Sequence, residues 1–314
     1  MEHDFEFDPT CGFSKDELLE IQPPDNEPED FAAFWRDAFE ETASQPLNIE
    51  TKKLWSPNPE IGVYEVYFDS IEAQRIGAWI TIPKNPVGGV VCGHGYGGRA
   101  WFDTYWAENG FAAIYVCIRG FNLSSCLEIP WKSSQHVIHN IDSKDKYVLK
   151  GATADTWRAV DMLTEMCPSV LKNLNYDGSS FGGGMGALAL AWDKRFKAGH
   201  LGVPTFGNHP IRLKFESTGS GESVRQYSKT HPQVMDVLKY YDAATAAKYI
   251  KIPMLCSPAL FDPSVIPPGQ FAVTNALKNS ETVILPAGHY NFEGEKELYG
   301  KLMNKRLTLF AAIP

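Results

Sequence analysis

The spacing of apolar residues changes along the chain and divides it into two parts. In residues 31–42 the apolar side chains recur with helical spacing, at Phe31, Phe34, Trp35 and Phe39. Residues 62–68 and 76–82 follow a two-residue alternation instead, which predicts strands. We therefore expect residues 1–50 to form a helical N-terminal extension ahead of the first strands.

Beyond residue 88 the pattern becomes short apolar runs that alternate with helical segments. The runs lie at 90–92, 111–118, 174–176, 201–203, 252–260 and 282–285, and the helical segments at 152–166, 183–192, 270–277 and 295–310. Continuous apolar runs are typical of parallel strands covered on both faces, and their alternation with helices indicates an α/β fold. We expect one domain over residues 1–314, with a mainly parallel twisted sheet, helices on both faces and a cap-like helical insertion at 204–251.

Composition and charge exclude several classes of protein. The chain has 314 residues, of which 44% are hydrophobic, and its net charge is −9, which argues against nucleic-acid and anionic-membrane partners. No apolar run reaches the roughly 18 residues of a membrane helix, and the acidic start of the chain does not resemble a signal peptide. These features predict a cytoplasmic protein, in which the six scattered cysteines are reduced thiols.

The strongest chemical motif is Gly178-x-Ser180-x-Gly182. It follows a short predicted strand and opens a helix that is rich in small residues. In that context the spacing predicts a nucleophile elbow, a tight turn that presents the serine hydroxyl above the sheet. A Gly-rich turn with an incidental serine would show the same letters, so the assignment depends on partners elsewhere in the chain.

A nucleophilic serine needs a base and an acid that orients the base, in the chain order Ser, Asp or Glu, His. Among the later histidines, only His289 lies in a loop just after a predicted late strand, and Asp262 directly follows another strand. Both positions are at carboxyl ends of parallel strands, where open α/β sheets place their sites. Asp236 and Asp242 compete with Asp262 but lie in the insertion. The predicted catalytic residues are Ser180, Asp262 and His289.

An oxyanion hole requires two N–H donors. We expect one from the backbone of Phe181, which follows the nucleophile, and one from the backbone of Tyr96, in the glycine-rich loop after residue 92. His94 in that loop is interpreted as a structural residue. Trp101 and Phe121 are candidate substrate contacts, although either could belong to the core.

Two other patterns have rival interpretations. Gly93-x-Gly95-x-x-Gly98 after a strand matches a dinucleotide fingerprint, and Arg119 could then meet a 2′-phosphate, but the expected acidic residue is missing. His136 and His139 have helical spacing, yet no supporting ligand pattern accompanies them. We expect neither a nucleotide nor a metal, and the predicted chemistry requires no cofactor.

With these residues placed, most of the chain resembles carbohydrate esterase family 7, the acetyl xylan esterases and cephalosporin C deacetylases of the α/β-hydrolase superfamily. The matching segments are Gly93-His94-Gly95-Tyr96, Gly98-Arg99, Arg119-Gly120, Ser180 with Gly182-Gly183-Gly184, Tyr240-Tyr241-Asp242, Lys251-Ile252-Pro253, Asp262, Pro267-Pro268 and Gly288-His289. The resemblance implies the same catalytic residues, the same oxyanion donors and assembly as a hexamer.

Three positions depart from the family pattern. Phe121 stands where the family has Gln after Arg-Gly, Phe181 replaces the Gln after the nucleophile, and Tyr290 replaces the Glu after the histidine.

The first hypothesis for the function is a serine esterase that removes acetyl or other short acyl groups from sugars or similar esters. The alternatives are a peptidase or dienelactone-type hydrolase on the same fold, a non-catalytic hydrolase-like binding protein, and a nucleotide-dependent oxidoreductase.

Overall fold

The computed structural model describes residues 1–312 and shows a nine-stranded sheet in the order β1-β2-β3-β5-β4-β6-β7-β8-β9. The strands are β1 Glu50–Leu54, β2 Ile61–Asp69, β3 Arg75–Pro83, β4 Gly88–Cys92, β5 Phe111–Val116, β6 Leu174–Ser179, β7 Phe196–Gly202, β8 Met254–Ser257 and β9 Ser280–Thr282. Strand β2 pairs antiparallel with β1 and β3, and β3 pairs antiparallel with β5. The remaining pairs of neighbouring strands are parallel. The predicted mainly parallel sheet is confirmed.

The α-helices of the described residues precede, alternate with and follow these strands. They are α1 Lys15–Glu20, α2 Phe31–Ala43, α3 Tyr105–Glu108, α4 Ser133–His136, α5 Val148–Met166, α6 Phe181–Leu190, α7 His209–Arg212, α8 Ser220–Thr230, α9 Met235–Leu238, α10 Ala243–Ala247, α11 Pro267–Ala276 and α12 Glu295–Ala311. Over residues 1–312, no helix combines the length and the apolar character needed to cross a bilayer.

The sheet separates two apolar cores because successive strand residues point to opposite faces. In β4, Val91 packs in the larger core with residues of α2, α5 and α6. Its neighbour Val90 packs in a smaller core with Trp106 of α3 and Phe310 of α12. Both faces of the strand are therefore covered, which explains why its sequence is continuously apolar rather than alternating.

The structure corrects several predicted boundaries. The N-terminal extension is helical only at α1 and α2, and β1 follows it as an unpredicted edge strand. Its sequence, ETKKL, is polar and mostly exposed, so it carries no hydrophobic periodicity. The run predicted as a strand at 252–260 forms a continuous ladder only over β8, since Pro258 has no N–H for the ladder. The run at 282–285 continues past β9 only as a bridge between Ala259 and Leu285.

The segment 204–251, predicted as a cap, has two parts. Its first part carries α7, α8 and α9, and α8 contacts α4 beside the carboxyl ends of the strands. All five residues of α10 are buried, and this helix contacts α6 and α11. The last part of the segment therefore belongs to the helical layer of the domain, while the first part lies over the strand ends.

Candidate active site

Ser180 occupies the turn between β6 and α6 in a strained backbone conformation. Its φ is 57° and its ψ is −117°, outside the regions that a residue with a Cβ prefers. Three backbone hydrogen bonds hold it there: Ser180 N–H donates to Gly202 O (2.8 Å), and Ser180 O accepts from Gly184 N–H (3.0 Å) and Thr205 N–H (3.2 Å). Backbone strain of this kind is the signature of a nucleophile elbow.

The glycines around Ser180 are required by close backbone packing. A Cβ on Gly178 would lie 2.7 Å from Gly182 O, and a Cβ on Gly182 would lie 2.9 Å from Gly93 C. A Cβ on Gly93 would in turn lie 3.1 Å from the Cα of Gly182. The glycine-rich loop and the elbow therefore touch backbone to backbone, which brings residues 93–98 beside the serine.

The structure brings the three predicted catalytic side chains together. Nε2 of His289 lies 3.0 Å from Oγ of Ser180, and Nδ1 of His289 lies 2.9 Å and 3.1 Å from the two carboxylate oxygens of Asp262. Burial lowers the pKa of His289, but the hydrogen bond and the charge of Asp262 outweigh it, so the pKa is raised above the ordinary 6.5. An Nδ1–H donated to Asp262 leaves Nε2 free to accept the serine proton.

The Asp262 carboxylate is fully buried and is held by donors on every side. Its Oδ1 accepts the backbone N–H groups of Ser264 (2.8 Å) and Val265 (2.9 Å), and its Oδ2 accepts Nε2 of Gln270 (2.9 Å). Gln270 is itself fully buried in α11 and accepts the N–H of Ala259 (2.8 Å). Gln270 was not predicted from the sequence, although its place at the start of a predicted helix, eight residues after Asp262, was an available signal.

An N-terminal strap, which we define as residues 2–9, lies against Asp262 and against Tyr290, the residue after His289. Asp262 N–H donates to Pro9 O (3.1 Å), and the Tyr290 hydroxyl donates to Glu2 O (2.8 Å). The Tyr290 ring also packs against Phe5 and Phe261, with ring centroids 5.9 Å and 5.1 Å apart. The departure from the family pattern at Tyr290 therefore coincides with a contact to the strap, which sequence analysis did not foresee.

The other side of Ser180 is an aromatic cluster, formed by His94, Tyr96, Phe121, His136 and Phe181. The rings of Tyr96 and Phe181 are stacked with centroids 4.1 Å apart. Phe121 contacts His94, Tyr96, His136 and Phe181 at centroid distances between 4.8 and 6.1 Å. The two phenylalanines that replace family glutamines thus belong to one packed group.

The two histidines of the cluster have structural hydrogen bonds. Nδ1 of His94 donates to Gly95 O (2.7 Å) and its Nε2 accepts from Ile118 N–H (3.1 Å), while Nε2 of His136 donates to Arg119 O (3.1 Å). Burial lowers the pKa of His94 to about 4 and that of His136 to about 3. Both rings are therefore neutral at pH 7 and hold backbone groups in place.

Ser180 and His289 open into the catalytic cavity, which has a volume of about 270 Å³. Its other lining residues are mostly small or hydroxylated, namely Gly95, Tyr96, Gly97, Ser133, Thr205, Gly219, Ser220, Ser264 and Val265. Ser133 comes from α4, and Ser220 comes from α8 of the segment 204–251, so that segment supplies part of the wall. A cavity of this size and polarity suits a small acyl group with one carbonyl.

The structure does not bring Phe121 or Trp101 to the wall of the catalytic cavity. Phe121 is buried behind Tyr96, because Gly120 at φ 86° turns the chain into the core. Trp101 is 57% exposed and lies beyond the glycine-rich loop, where its ring packs against Trp79. Neither side chain is positioned to contact a group bound beside Ser180.

The rival interpretations have structural explanations. Arg119 is almost fully buried and binds Asp155 through Nε and Nη2 and Glu72 through Nη1, so its guanidinium is already paired. Of the fingerprint glycines, Gly93 and Gly95 lie against the elbow, and Gly98 lies against the Asn122 side chain. Within residues 1–312, no group of three His, Cys, Asp or Glu side chains is arranged to hold a metal ion.

Comparison with known proteins gives consistent matches. A family model described as acetyl xylan esterase matches residues 10–310. The acetyl esterase Axe7A of Xylanibacter ruminicola is 25% identical over 299 residues, which cover 89% of this chain and 66% of that protein. The present chain thus spans just under two thirds of the length of this relative.

Two solved structures are similar over nearly their whole length. The acetyl xylan esterase from Paenibacillus sp. R4 matches with a TM-score of 0.84 and 22% identity, covering 93% of this chain and 99% of the other. Acetyl xylan esterase 1 from Thermoanaerobacterium sp. JW/SL YS485 matches with a TM-score of 0.82 and 22% identity, covering 95% and 99%. The predicted α/β-hydrolase fold is confirmed.

Proposed function

The chain belongs to the acetyl xylan esterase family, and on that basis we propose that it is a carboxylic ester hydrolase that removes acetyl groups from sugar hydroxyls. The observation that carries the proposal is the chain of hydrogen bonds from Asp262 through His289 to Ser180 at the catalytic cavity. These three residues are the proposed acid, base and nucleophile.

In the first step, Oγ of Ser180 attacks the ester carbonyl carbon while Nε2 of His289 takes the hydroxyl proton. A neutral serine hydroxyl is a weak nucleophile, so the adjacent base is essential. The imidazolium that forms is stabilised by the buried Asp262 carboxylate, which also fixes the proton on Nδ1.

The tetrahedral intermediate carries a negative oxygen that needs preorganised donors. Phe181 is the first residue of α6, where backbone N–H groups have no intrahelical acceptor and the helix dipole is positive. We assign its N–H and that of Tyr96, which lines the same cavity, to the oxyanion hole. Both are backbone donors, so the departure from glutamine at position 181 leaves them available.

The intermediate collapses when His289 returns its proton to the leaving sugar oxygen and the C–O bond of the ester breaks. This step leaves an acetyl group on Ser180. Water then attacks the acetyl-enzyme with His289 again as base, and the products are acetate and the free serine. The reaction needs no other group than the residues already named.

The size of the catalytic cavity favours short acyl chains. Thr205, Ser220 and Val265 form part of its wall, and its volume of about 270 Å³ is at the small end for a ligand site. Acetyl esters should therefore be better substrates than butyryl or longer esters.

The hexameric assembly and the cytoplasmic location expected from the sequence stay predictions. Size-exclusion chromatography tests the first, and cell fractionation tests the second.

The experiment is hydrolysis of p-nitrophenyl esters from acetate to octanoate by wild type and Ser180→Ala. We expect the highest kcat/KM on acetate, a fall by butyrate, and a loss in the variant on the order of 10⁶-fold in kcat. Ser44→Ala, an exposed serine at the end of α2, is the control and should retain full activity. Turnover by folded Ser180→Ala at the wild-type rate would refute the assignment.

A further inference from the structure

A second cavity lies on the opposite side of the glycine-rich loop from the catalytic cavity. It has a volume of about 490 Å³ and is lined by parts of the loop, by α3 and α12, and by the ends of β4 and β6. Its prominent side chains are Arg99, Trp101, Asp103 and Arg306. We propose that this cavity is a carbohydrate-binding subsite that takes one sugar ring of an oligosaccharide chain. Its substrate class rests on the proposed function.

Trp101 provides the aromatic surface. The indole is 57% exposed, yet it packs from behind against Trp79 and Phe102, with ring centroids 5.5 Å and 5.1 Å apart. A fixed indole with a free surface loses little side-chain entropy on binding. The negative face of its π-system attracts the C–H groups along one face of a pyranose ring, and stacking also removes its apolar surface from water.

Arg99 and Asp103 supply a donor and an acceptor beside the indole. The Arg99 guanidinium lies 5.0 Å over the ring of Tyr115 and donates through Nη2 to Gly93 O (3.3 Å). Within residues 1–312 it forms no salt bridge, and its Nε–H has no partner. Asp103 accepts the Tyr115 hydroxyl (2.8 Å) and Tyr105 N–H (3.0 Å), both at Oδ1, and is otherwise exposed.

Arg306 of α12 supplies a second, immobilised donor group. Its Nη1 lies 3.2 Å from each carboxylate oxygen of Asp177, which also accepts Nδ1 of His200 (2.8 Å). Burial raises the pKa of Asp177, but the charge of Arg306 and the His200 hydrogen bond outweigh it and lower the pKa to about 2. Asp177 is therefore ionised throughout the physiological range and holds Arg306 against the cavity.

The pattern of charges favours a polyhydroxylated ligand over a simple anion or an apolar one. Two guanidinium groups line the cavity together with the carboxylates of Asp103 and Asp177, so an anion would meet repulsion as well as attraction. Vicinal sugar hydroxyls are both donors and acceptors, so they can pair with arginine N–H groups and a carboxylate together. The exposed indole then stacks on one face of the sugar ring, a contact that a single ion cannot make.

The position of the cavity connects it to the catalytic site. Gly95 lines both cavities, and the loop between them carries Tyr96, whose N–H is the proposed oxyanion donor. A chain whose acetylated unit lies at Ser180 can therefore place another unit beside Trp101. The subsite would add affinity for oligosaccharides that a free acetylated monosaccharide lacks.

The test is binding of unacetylated xylohexaose to the Ser180→Ala enzyme by isothermal titration calorimetry, in which no turnover occurs. We expect saturable binding, which weakens about tenfold, equal to roughly 1.4 kcal/mol, when Trp101→Ala is added. Trp101→Phe should restore part of the affinity. Asp103→Asn keeps an oxygen for Tyr115 and Tyr105, so it tests the carboxylate charge without removing those contacts.

Trp131→Ala is the matched control, because Trp131 is an indole outside this cavity that is also largely exposed, at 67%. Equal affinity in the Trp101→Ala and Trp131→Ala backgrounds would overturn the proposal. A change of oligomeric state in Trp101→Ala, seen by size-exclusion chromatography, without a change in sugar affinity would also overturn it and assign the indole to a subunit contact.

The two proposals fail separately. If the wild type hydrolyses esters but xylohexaose does not bind, the subsite proposal is refuted and the esterase proposal stands. If xylohexaose binding depends on Trp101 but the wild type hydrolyses no ester, the esterase proposal is refuted. The proposal of a carbohydrate-binding site then stands.

Discussion

Ser180 lies between two regions that different forces hold in place. On the side of the proposed base, a directional hydrogen bond joins Ser180 to His289. The buried Asp262 carboxylate accepts hydrogen bonds from His289, Ser264, Val265 and Gln270. On the other side, ring packing within the aromatic cluster, together with the backbone hydrogen bonds of its two histidines, positions the loop of Tyr96 and the start of α6. The proposed proton transfer and the proposed oxyanion binding thus depend on two kinds of contact.

The difference predicts unequal tolerance to substitution. A hydrogen bond weakens steeply when its angle changes, and a buried carboxylate or imidazole left without its partner costs a full desolvation penalty. Ring packing depends on volume and contact area, so a side chain of similar size retains much of it. Substitutions on the hydrogen-bonded side should therefore affect kcat more than isosteric changes in the aromatic cluster.

The largest effect is expected from Asp262→Asn, apart from loss of the nucleophile itself. The amide keeps the shape but can donate to Nδ1 of His289, which places the imidazole proton on Nε2 and prevents it from accepting the serine proton. We expect kcat on p-nitrophenyl acetate to fall by about 10⁴-fold. Asp236→Asn, at an exposed acid of α9, is the control. A fall of less than about tenfold would show that Asp262 does not orient the base.

The pH profile of the wild type tests the same hydrogen bond. The neutral form of His289 is the reactive one, so kcat/KM should fall about tenfold per pH unit below its pKa. Because Asp262 stabilises the imidazolium and raises that pKa, the midpoint should lie above 6.5. Removing the negative charge in Asp262→Asn should move the midpoint to lower pH. A wild-type midpoint below 6.5 would contradict this coupling.

Gln270→Leu should produce the next largest effect. The change removes one donor from Asp262 and leaves the N–H of Ala259 without an acceptor in a buried site, at a cost of about 1–3 kcal/mol in unfolding free energy. We expect kcat to fall by about ten- to hundredfold as the carboxylate loses its fixed position. Gln233→Leu, at an exposed glutamine, should change neither urea stability nor kcat.

Phe181→Leu tests the aromatic side. Loss of the stack with Tyr96 is worth about 0.5–1.5 kcal/mol, so kcat should fall by about tenfold or less, with a smaller change in KM. Phe196→Leu removes a similarly buried ring from β7 and serves as the control for stability alone. If Phe181→Leu and Phe196→Leu reduce kcat equally, the stack does not position the oxyanion donors.

Tyr290→Phe should have the smallest effect. The ring contacts with Phe5 and Phe261 remain, and only the hydrogen bond to Glu2 O is lost. A single hydrogen bond of this kind contributes about 0.5–1.5 kcal/mol to the unfolding free energy, which a urea titration resolves. Tyr290→Ala, which also removes the ring, should cost more than Tyr290→Phe if the strap packs as described.

The sequence predicted those parts of the site that depend on chain order and strand ends. Ser180, Asp262 and His289 each follow a strand, and because parallel strands end at one edge of the sheet, the structure brings the three together. Gln270 and the N-terminal strap could not be placed this way, since their bonds to Asp262 depend on the tertiary packing of α11 and on contacts across nearly the whole chain.

Trp101 and Phe121 lie away from the catalytic cavity for a common reason. The sequence indicated that Trp101 and Phe121 were candidate substrate contacts. It did not indicate on which side of the glycine-rich loop each side chain would lie. That choice follows from the backbone at Gly98 and Gly120, whose φ values of 73° and 86° direct the chain away from the catalytic cavity. β1 was missed for the opposite reason, because a polar edge strand has no apolar pattern to detect.

The N-terminal strap also has a consequence for the order of events during synthesis on the ribosome. Its residues are translated about 250 residues before Asp262 and Tyr290, the groups against which they pack. At about 5–20 residues per second, this interval lasts on the order of 10–50 s. During that time Phe5 lacks the ring of Tyr290, and the proposed acid and base have not been translated. A nascent chain should therefore remain inert towards esters until residues 262–290 have emerged and folded.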